Sequence, residues 1–393
     1  MPWSELSRMD QRTQFIAEYL ENGISITDLC EFYNISRKTG YKWIDRYEGE
    51  GATGLEERSQ RPKSCPHQTG EWIVKELVQA REHHPWWGAK KLLKIVSKRH
   101  RDWDLPAPST VCEILRRKGL VRTPRNRRKL GHPGKPSSVT SEPNDLWCAD
   151  FKGQFKTMDG VYCYPLTVTD SYSRYLLECR GLLTTNCAHS KAVFIKLFRE
   201  YGLPKRIRTD NGVPFATYSL GRFSALSAWW VRLGILPELI EPGKPQQNGS
   251  HERMHKTLKA ETVVPPSNSR RAQQLRFDCF REEYNNERPH EALGQETPAS
   301  LYRPSPREMP DKIPPLEYPA HFEKRYVSAN GGIRWNCEWV SVGNVFEGEY
   351  LGLEEVDNGI WNVYFGPVKL GRLLEEHMRI EDRNGRLMRN ERV

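Results

Sequence analysis

The chain has 393 residues, enough for two to four domains and too many for one small module. With 37% hydrophobic and 28% charged residues and a mean hydropathy of -0.73, it reads as a soluble protein that can bury real cores. No uncharged apolar run of about 18 residues occurs, and MPWSELSRMDQR lacks the apolar stretch of a secretory signal, so a cytoplasmic protein without membrane contact is expected. Residues 1–140 hold 26 Lys and Arg against 17 Asp and Glu, and the remainder is nearly balanced at 34 against 33. That split suggests a polyanion-binding front, most simply for nucleic acid, joined to a catalytic or interaction body. The nine cysteines form no CxxC pair, which argues against a zinc ribbon or a disulfide framework; they read as buried thiols of a reduced compartment.

In chain order, the pattern first predicts short helices over 12–21, 27–33 and 37–47. Ser25 with Asp28 fits a capping box, Ile26, Leu29, Cys30 and Tyr33 make an apolar stripe, and Asn34 turns the chain. Ser36 caps the third helix, whose Trp43, Ile44 and Tyr47 face inward and whose Arg37, Lys38, Tyr41, Lys42 and Arg46 face outward. This is the layout of a helix-turn-helix unit, residues 1–58, with a recognition helix for a DNA groove. After the turn-rich linker GLEERSQRPKSCPHQTG, a second unit at 70–121 repeats the plan without repeating the sequence. Its stripes are Ile73, Leu77 and Ala80; Ala89, Leu92, Leu93 and Val96; and Val111, Ile114 and Leu115 behind a Ser109 cap. From Arg116 to Lys135 come nine basic residues and no acidic one: Arg116, Arg117, Lys118, Arg122, Arg125, Arg127, Arg128, Lys129 and Lys135. Proline and glycine break up this run, and the basic linker 122–139 fits an extended arm on phosphates or in a minor groove.

The middle third opens on Asp150, in the apolar strand of NDLWCADFKG, followed by VYCYPLTVTD and SRYLLECRGL as two more strands of a meander. An amphipathic helix over 186–201 buries Val193, Leu197 and Phe198, and the strand of KRIRTDNG leaves Asp210 at its end. A helix around 223–233, the short strand of ILPELI and a glycine-containing loop then lead to a helix bearing Glu252. Gly212 is expected at positive φ beside Asp210. Asp145, Asp159 and Asp170, at strand edges and turns, read as structural.

TDNG, PGKPQQNGSHERMHKTLK and YNNERPHEALGQETPASLY together resemble the catalytic core of insertion-sequence transposases related to retroviral integrases, DDE enzymes with a ribonuclease-H-like α/β fold. The resemblance covers residues 140–302, and the N-terminal units and the C-terminal segment also suit it. It implies that Asp150, Asp210 and Glu252 are the catalytic, metal-holding carboxylates, working with two Mg²⁺ ions for which Mn²⁺ substitutes. The physical reading agrees, because three carboxylates at one end of a sheet repel unless cations compensate them, and oxygen ligands select hard metals. Lys256 and Lys259, at i+4 and i+7 from Glu252, share its side of the helix and would hold the phosphates of a DNA end. Asp210 and Glu252 are 42 positions apart, longer than the family's customary spacing, and ATYSLGRFSALS is expected to take up the excess as a loop. The implied function is a DNA transposase that binds terminal inverted repeats, cleaves 3′ ends and joins them to target DNA. Joining two ends in concert implies a homo-oligomer, dimer or tetramer, on DNA at the nucleoid.

HERMH, residues 251–255, also matches the HExxH zinc motif, with Glu282 or Glu283 as third ligand. A zinc protease leaves TDNG, the loop before the helix and the basic front unexplained, so His251 and His255 read as DNA-contacting or exposed. The other alternative is a DNA-binding regulator with an inactive nuclease-like core. After a proline-rich linker at 303–320, alternating runs over 321–393 predict five or so strands and a small β-barrel, SH3-like by the same resemblance. A hairpin turn is expected at Asp357, Asn358 and Gly359. Alternation puts Trp335, Cys337 and Trp339 on one core face and Trp361, Val363 and Phe365 on another, with Tyr364 outside.

Overall fold

The structure is a computed structural model that describes residues 8–21, 23–58, 68–121, 139–241, 245–382 and 385–388. It divides into two compact units, Met1–Thr69 and Gly70–Val393. In the first, α1 (Arg8–Leu20), α2 (Ile26–Phe32) and α3 (Arg37–Glu50) enclose a core of Phe15, Ile16, Leu29, Trp43, Ile44 and Leu55. Asn34, at φ 50°, makes the sharp turn between α2 and α3. Both expected caps form, the Asp28 amide donating to Ser25 Oγ (3.3 Å) and the Thr39 amide to Ser36 Oγ (3.2 Å). The Ser25 hydroxyl also donates to Asp28 Oδ2 (2.7 Å), which ties the two side chains together.

The second unit starts with α4 (Glu71–His83), α5 (Ala89–Arg99) and α6 (Pro108–Arg117), packed around Leu77, Trp87, Leu92, Val96, Val111 and Leu115. The cap of α6 is Ala107, not Ser109; Pro108 opens the helix, where its missing N–H would have no partner anyway.

The central sheet comprises β1 (Trp147–Phe151), β2 (Phe155–Lys156), β3 (Tyr162–Asp170), β4 (Leu176–Leu182), β5 (Arg206–Thr209) and β6 (Leu236–Leu239). The strand path is β2-β3-β1-β5-β6, with β4 also pairing with β3. β3 runs antiparallel to both β1 and β4, while β5 is parallel to β1 and to β6. Between strands, α7 (Cys187–Tyr201) and α8 (Ala225–Arg232) cover one face through Phe194, Leu197, Leu226 and Trp230. The other face is covered by α9 (Gly249–Leu258) and α10 (Arg270–Glu282) through Met254, Leu258, Phe277 and Phe280. This mixed sheet between helices is the expected ribonuclease-H-like core. The competing acids are used structurally: Asp170 accepts from the Ser173 amide and hydroxyl (2.7 and 2.6 Å) and the Asn144 amide (2.8 Å). Asp145 pairs with Lys205 at 2.8 Å, and Asp159 accepts from Thr157 Oγ1 at 2.5 Å.

The C-terminal strands are β7 (Glu323–Tyr326), β8 (Gly332–Trp335), β9 (Glu338–Ser341), β10 (Tyr350–Asp357), β11 (Ile360–Phe365), β12 (Val368–Leu374) and β13 (Arg379–Asp382). They form a five-stranded antiparallel sheet, β13-β12-β11-β10-β7, and a separate β8-β9 hairpin over a shared core that includes Ile333, Val340, Leu353 and Phe365. The edge strands β7 and β13 do not pair with each other, so the all-β unit is present but the expected barrel is not closed. Trp335 and Trp339 do not share a strand face, because Asn336 and Cys337 (φ 44° and 63°) form a two-residue turn between β8 and β9. Trp335 is buried and Trp339 half-buried; Val363 and Phe365 are core, and the half-buried Tyr364 donates to Glu354 Oε2 at 3.1 Å. The stretch 303–320 lies on the core: Arg307 donates to Pro204 O (2.9 Å) and Gly234 O (2.8 Å), and Met309 and Ile313 pack against the sheet.

Cys30, Cys148, Cys163 and Cys179 are buried thiols as expected, but Cys112, Cys279 and Cys337 are exposed, and Cys65 lies outside the described residues. Among the described residues no helix is long and apolar enough to cross a membrane.

Candidate active site

Asp150 sits near the end of β1, which the sheet holds between β3 and β5. In register Asp150 faces Thr167 of β3, and its neighbour Ala149 faces Thr209, the last residue of β5. Asp210 follows directly, so strand pairing alone sets the two aspartates side by side. Glu252 stands in the first turn of α9, exposed. Arg208, buried in β5, ties that helix to the strand: Nη1 donates to Gln247 O (2.8 Å), while Nε and Nη2 hold Glu238 Oε1 at 2.8 and 2.6 Å. Gln247 in turn accepts from the Glu241 amide (2.9 Å) and donates to Glu241 Oε1 (2.8 Å), which pins the entry to α9.

Burial pushes the Asp150 carboxyl up to about 7, with repulsion from Asp210 and a smaller share from Glu252 adding to it. Asp210 is pushed up too, by burial, against the Gly212 amide that donates to its Oδ1 at 3.3 Å. Gly212 does not have positive φ; what it provides is room, since a Cβ there would stand 3.1 Å from Asp210 Oδ2. Asn211 Oδ1, next in chain to Asp210, and Asn248 Oδ1, at the start of α9, are buried without a hydrogen-bond partner among the described residues. Two buried carboxylates pushed up side by side at one end of the sheet are hard oxygen ligands of the kind a divalent cation suits.

The histidines of HERMH are buried, not exposed or DNA-facing as the sequence suggests. His251, Met254, His255 and Leu258 form the inner stripe of α9, so the same helix that presents Glu252 outward turns its imidazoles onto β3. There Thr167 Oγ1 lies 2.8 Å from His251 Nε2, 2.6 Å from His255 Nε2 and 3.1 Å from Asp150 O, and Thr169 Oγ1 lies 2.7 Å from His251 Nδ1. Burial pushes the imidazoles down to about 3 and about 2, so both are neutral near pH 7. The zinc-protease reading loses its third ligand, because Glu282 accepts from Asn286 (2.6 Å) and Glu283 pairs with His84 (2.9 Å). Sequence reasoning missed Thr167, Thr169 and Lys152, the last close enough to lower both the Asp150 carboxyl and the His255 imidazole. The available signal was threonine alternating with Leu166 and Val168 in a strand covered on both faces, where a polar side chain needs a partner.

Of the expected DNA-contacting groups, Arg37, Lys38, Tyr41 and Lys42 are exposed on α3, and Arg46 is half-buried. Lys42 and Arg46 lie 4.7 and 5.0 Å from the centre of the Trp43 ring. Arg116, Arg117 and Lys118 are exposed at the end of α6, where both arginines pair with Glu113. Lys256 is exposed on α9, one turn on from Glu252, and Lys259 is exposed just past the end of that helix. Arg122, Arg125, Arg127, Arg128, Lys129 and Lys135 lie outside the described residues.

The mixed, ribonuclease-H-like sheet, preceded in the chain by helix-turn-helix units, has the architecture of an integrase core domain. Residues 140–245 and 233–298 match models of the integrase core domain, residues 11–63 a helix-turn-helix domain and residues 39–115 a homeodomain-like domain. The chain carries an integrase core domain behind helix-turn-helix and homeodomain-like domains, and insertion-element proteins are among its homologues. It is 28% identical over 222 residues to the insertion element IS476 uncharacterized 39.2 kDa protein of Xanthomonas euvesicatoria, covering 54% of this chain and 55% of that protein. It is 25% identical over 250 residues to the insertion element IS407 uncharacterized 31.7 kDa protein of Burkholderia multivorans, covering 60% and 82%. The Gag-Pol polyprotein of baboon endogenous virus is 28% identical over 195 residues, 47% of this chain and 10% of the polyprotein. Among solved structures, the HTLV-2 integrase catalytic core domain in complex with magnesium aligns with 41% of this chain and 98% of that chain, at 15% identity and a TM-score of 0.33.

Proposed function

We propose that the chain is a DNA transposase of a mobile element. In this reading residues 1–58 and 70–121 bind the terminal inverted repeats, the basic run at 122–139 follows phosphates, and residues 140–302 carry out the chemistry. Residues 303–320 connect that core to the C-terminal strands of 321–393. Asp150 would hold both of two divalent ions, Mg²⁺ or in its place Mn²⁺, and Asp210 and Glu252 would hold one each. Such ions, when bound, activate the attacking oxygen and stabilise the leaving one. First, water attacks phosphorus at the element's end and the bond to the element's 3′ oxygen breaks, which leaves a 3′-hydroxyl. That hydroxyl then attacks a target phosphodiester, and the target's own 3′ oxygen leaves with a proton. The chain's contribution is placement: the carboxylates fix the reacting end, and Lys256 and Lys259, beside Glu252, hold its phosphates. Joining two ends in concert takes at least two copies, a dimer or tetramer on DNA.

The observation that carries the reading is the register of β1 and β5, which sets Asp150 and Asp210 at the same end of the sheet, with Glu252 exposed in the first turn of α9; a divalent ion offsets the cost of such acidic groups. Because Glu252 is exposed, Glu252→Gln is expected to leave folding and flank binding intact while abolishing 3′ cleavage of a labelled end duplex in Mg²⁺ or Mn²⁺. Undiminished cleavage by that variant would sink the assignment of Glu252. Tight binding without cleavage by the wild type points instead to a DNA-binding regulator with an inactive core.

A further inference from the structure

The hydrogen bonds at Thr167 decide the tautomers of both buried histidines. Thr167 Oγ1 has one proton and two lone pairs, and the Asp150 carbonyl oxygen 3.1 Å away can only accept. The hydroxyl therefore donates to that carbonyl and accepts from two ring N–H groups, His251 Nε2 (2.8 Å) and His255 Nε2 (2.6 Å). Each neutral ring keeps an unprotonated Nδ1. On His251 that lone pair is taken, accepting from the Thr169 hydroxyl at 2.7 Å. On His255 it faces Asp150 Oδ2 across 3.7 Å, between side chains 6% and 22% exposed. Two electron-pair donors thus confront each other over a gap too wide for a hydrogen bond, and two metal bonds of about 2.1 Å can span it. Asp150, His251 and His255 are the cluster among the described residues whose side-chain atoms lie close enough to share an ion, and the bonding above withdraws His251 from it.

We propose that His255 Nδ1 is a nitrogen ligand of the divalent ion held by Asp150, which biases this centre toward Mn²⁺, Co²⁺ or Zn²⁺ relative to Mg²⁺. The inference rests on the reading of Asp150 as a metal ligand. Imidazole nitrogen suits the borderline transition metals, whereas Mg²⁺ favours carboxylate, carbonyl and water oxygens. Thr167 acts as the outer partner of a metal-bound histidine, fixing the ring and its tautomer through Nε2–H. His251 is a positioning residue: it bonds both threonines of β3 and so holds the Thr167 hydroxyl in place.

The test is pulsed electron paramagnetic resonance of Mn²⁺ bound to the full chain, in the wild type, His255→Asn and His255→Gln. Both substitutions keep an N–H for Thr167 but replace the ring nitrogen, and melting curves establish that each variant folds. The wild type is expected to show imidazole nitrogen modulation of the Mn²⁺ signal, and both variants to lose it. The Mn²⁺ to Mg²⁺ affinity ratio, by titration calorimetry, is expected to fall on the order of ten- to a hundredfold. Mn²⁺ bound without nitrogen modulation in the wild type, modulation that persists in both folded variants, or no Mn²⁺ binding at all overturns the proposal. Strand transfer in Mg²⁺ is scored separately, so a transposase with an all-oxygen site remains distinguishable from a protein with no metal site.

Discussion

In the metal-free protein the burial of Asp150, with Asp210 beside it, works against folding, and this can be measured. Its carboxyl stands at about 7 against an ordinary 3.8, and at about 1.36 kcal/mol per factor of ten that difference is worth at most about 4 kcal/mol. The side chain is 22% exposed, so about 2–4 kcal/mol is the working range. The folded protein binds this proton more tightly than the unfolded chain does. The cost is therefore absent below about pH 4, grows as pH rises and is complete above about pH 7. Asp150→Asn removes the ionisation while keeping the shape. In EDTA at about pH 8 the variant is expected to be more stable than the wild type by about 2–4 kcal/mol, and at about pH 4 and below the two should converge. Urea unfolding followed by tryptophan fluorescence reads this well, since Trp147, Trp229 and Trp230 lie in the core beside β1 and α8. Saturating Mg²⁺ or Mn²⁺ should stabilise only the wild type, by mass action on the folded state. An Asp150→Asn variant no more stable than the wild type in EDTA at high pH would refute the reasoning.

Thr167→Val leaves two buried imidazole N–H groups without an acceptor and is expected to destabilise the core by about 2–4 kcal/mol in urea unfolding, while Thr167→Ser is tolerated; a valine variant as stable as wild type rules out the network. Replacing Lys38 and Lys42 together by alanine should reduce the slope of log affinity against log salt by about 2 for an end duplex, near 0.9 per lost phosphate contact. An unchanged slope removes α3 from the DNA interface. Trp87 is buried, stacks on His84 at 3.8 Å and lies 5.6 Å from the Arg288 guanidinium, where α4 and α5 meet the core. Trp87→Ala is expected to cost about 3–5 kcal/mol and to speed hydrogen exchange in α4 to α6; exchange unchanged there contradicts that account.

The elements that position the carboxylates were legible because local pattern decides them. β1 is a short apolar run, β5 is marked by the TDNG turn that ends it, and Ser25 and Ser36 stand directly before the helices they cap. The histidine network was not legible, since Thr167 and His251 stand 84 positions apart and meet only once β3 pairs with β1 and α9 lies across them. Read along α9 alone, an imidazole at 251 or 255 has no local sign of burial except its place beside Met254 and Leu258. α10 is faint for a related reason: Phe277 and Phe280 are joined on its buried side by Gln273, whose amide bonds the Thr262 carbonyl and the Ser267 amide, so a polar residue stands where the stripe calls for an apolar one. In the C-terminal strands, alternation across 335–339 misleads because the turn at Asn336 and Cys337 reverses the chain without the glycine that usually marks such a hairpin. Strand number was readable there, but whether β7 and β13 close on each other depends on sheet curvature, which no residue pattern states.

The central claim is that Asp150, Asp210 and Glu252 form a metal-dependent centre for joining DNA. It is tested most directly with purified protein, labelled duplexes made from the DNA flanking its own gene, and a supercoiled plasmid, with wild type and Asp210→Asn run side by side. The account predicts transfer of label into plasmid by the wild type in Mg²⁺ or Mn²⁺, none in EDTA, and none by Asp210→Asn in either metal. Joining by Asp210→Asn at the wild-type level, or tight flank binding without any joining by the wild type, would contradict it.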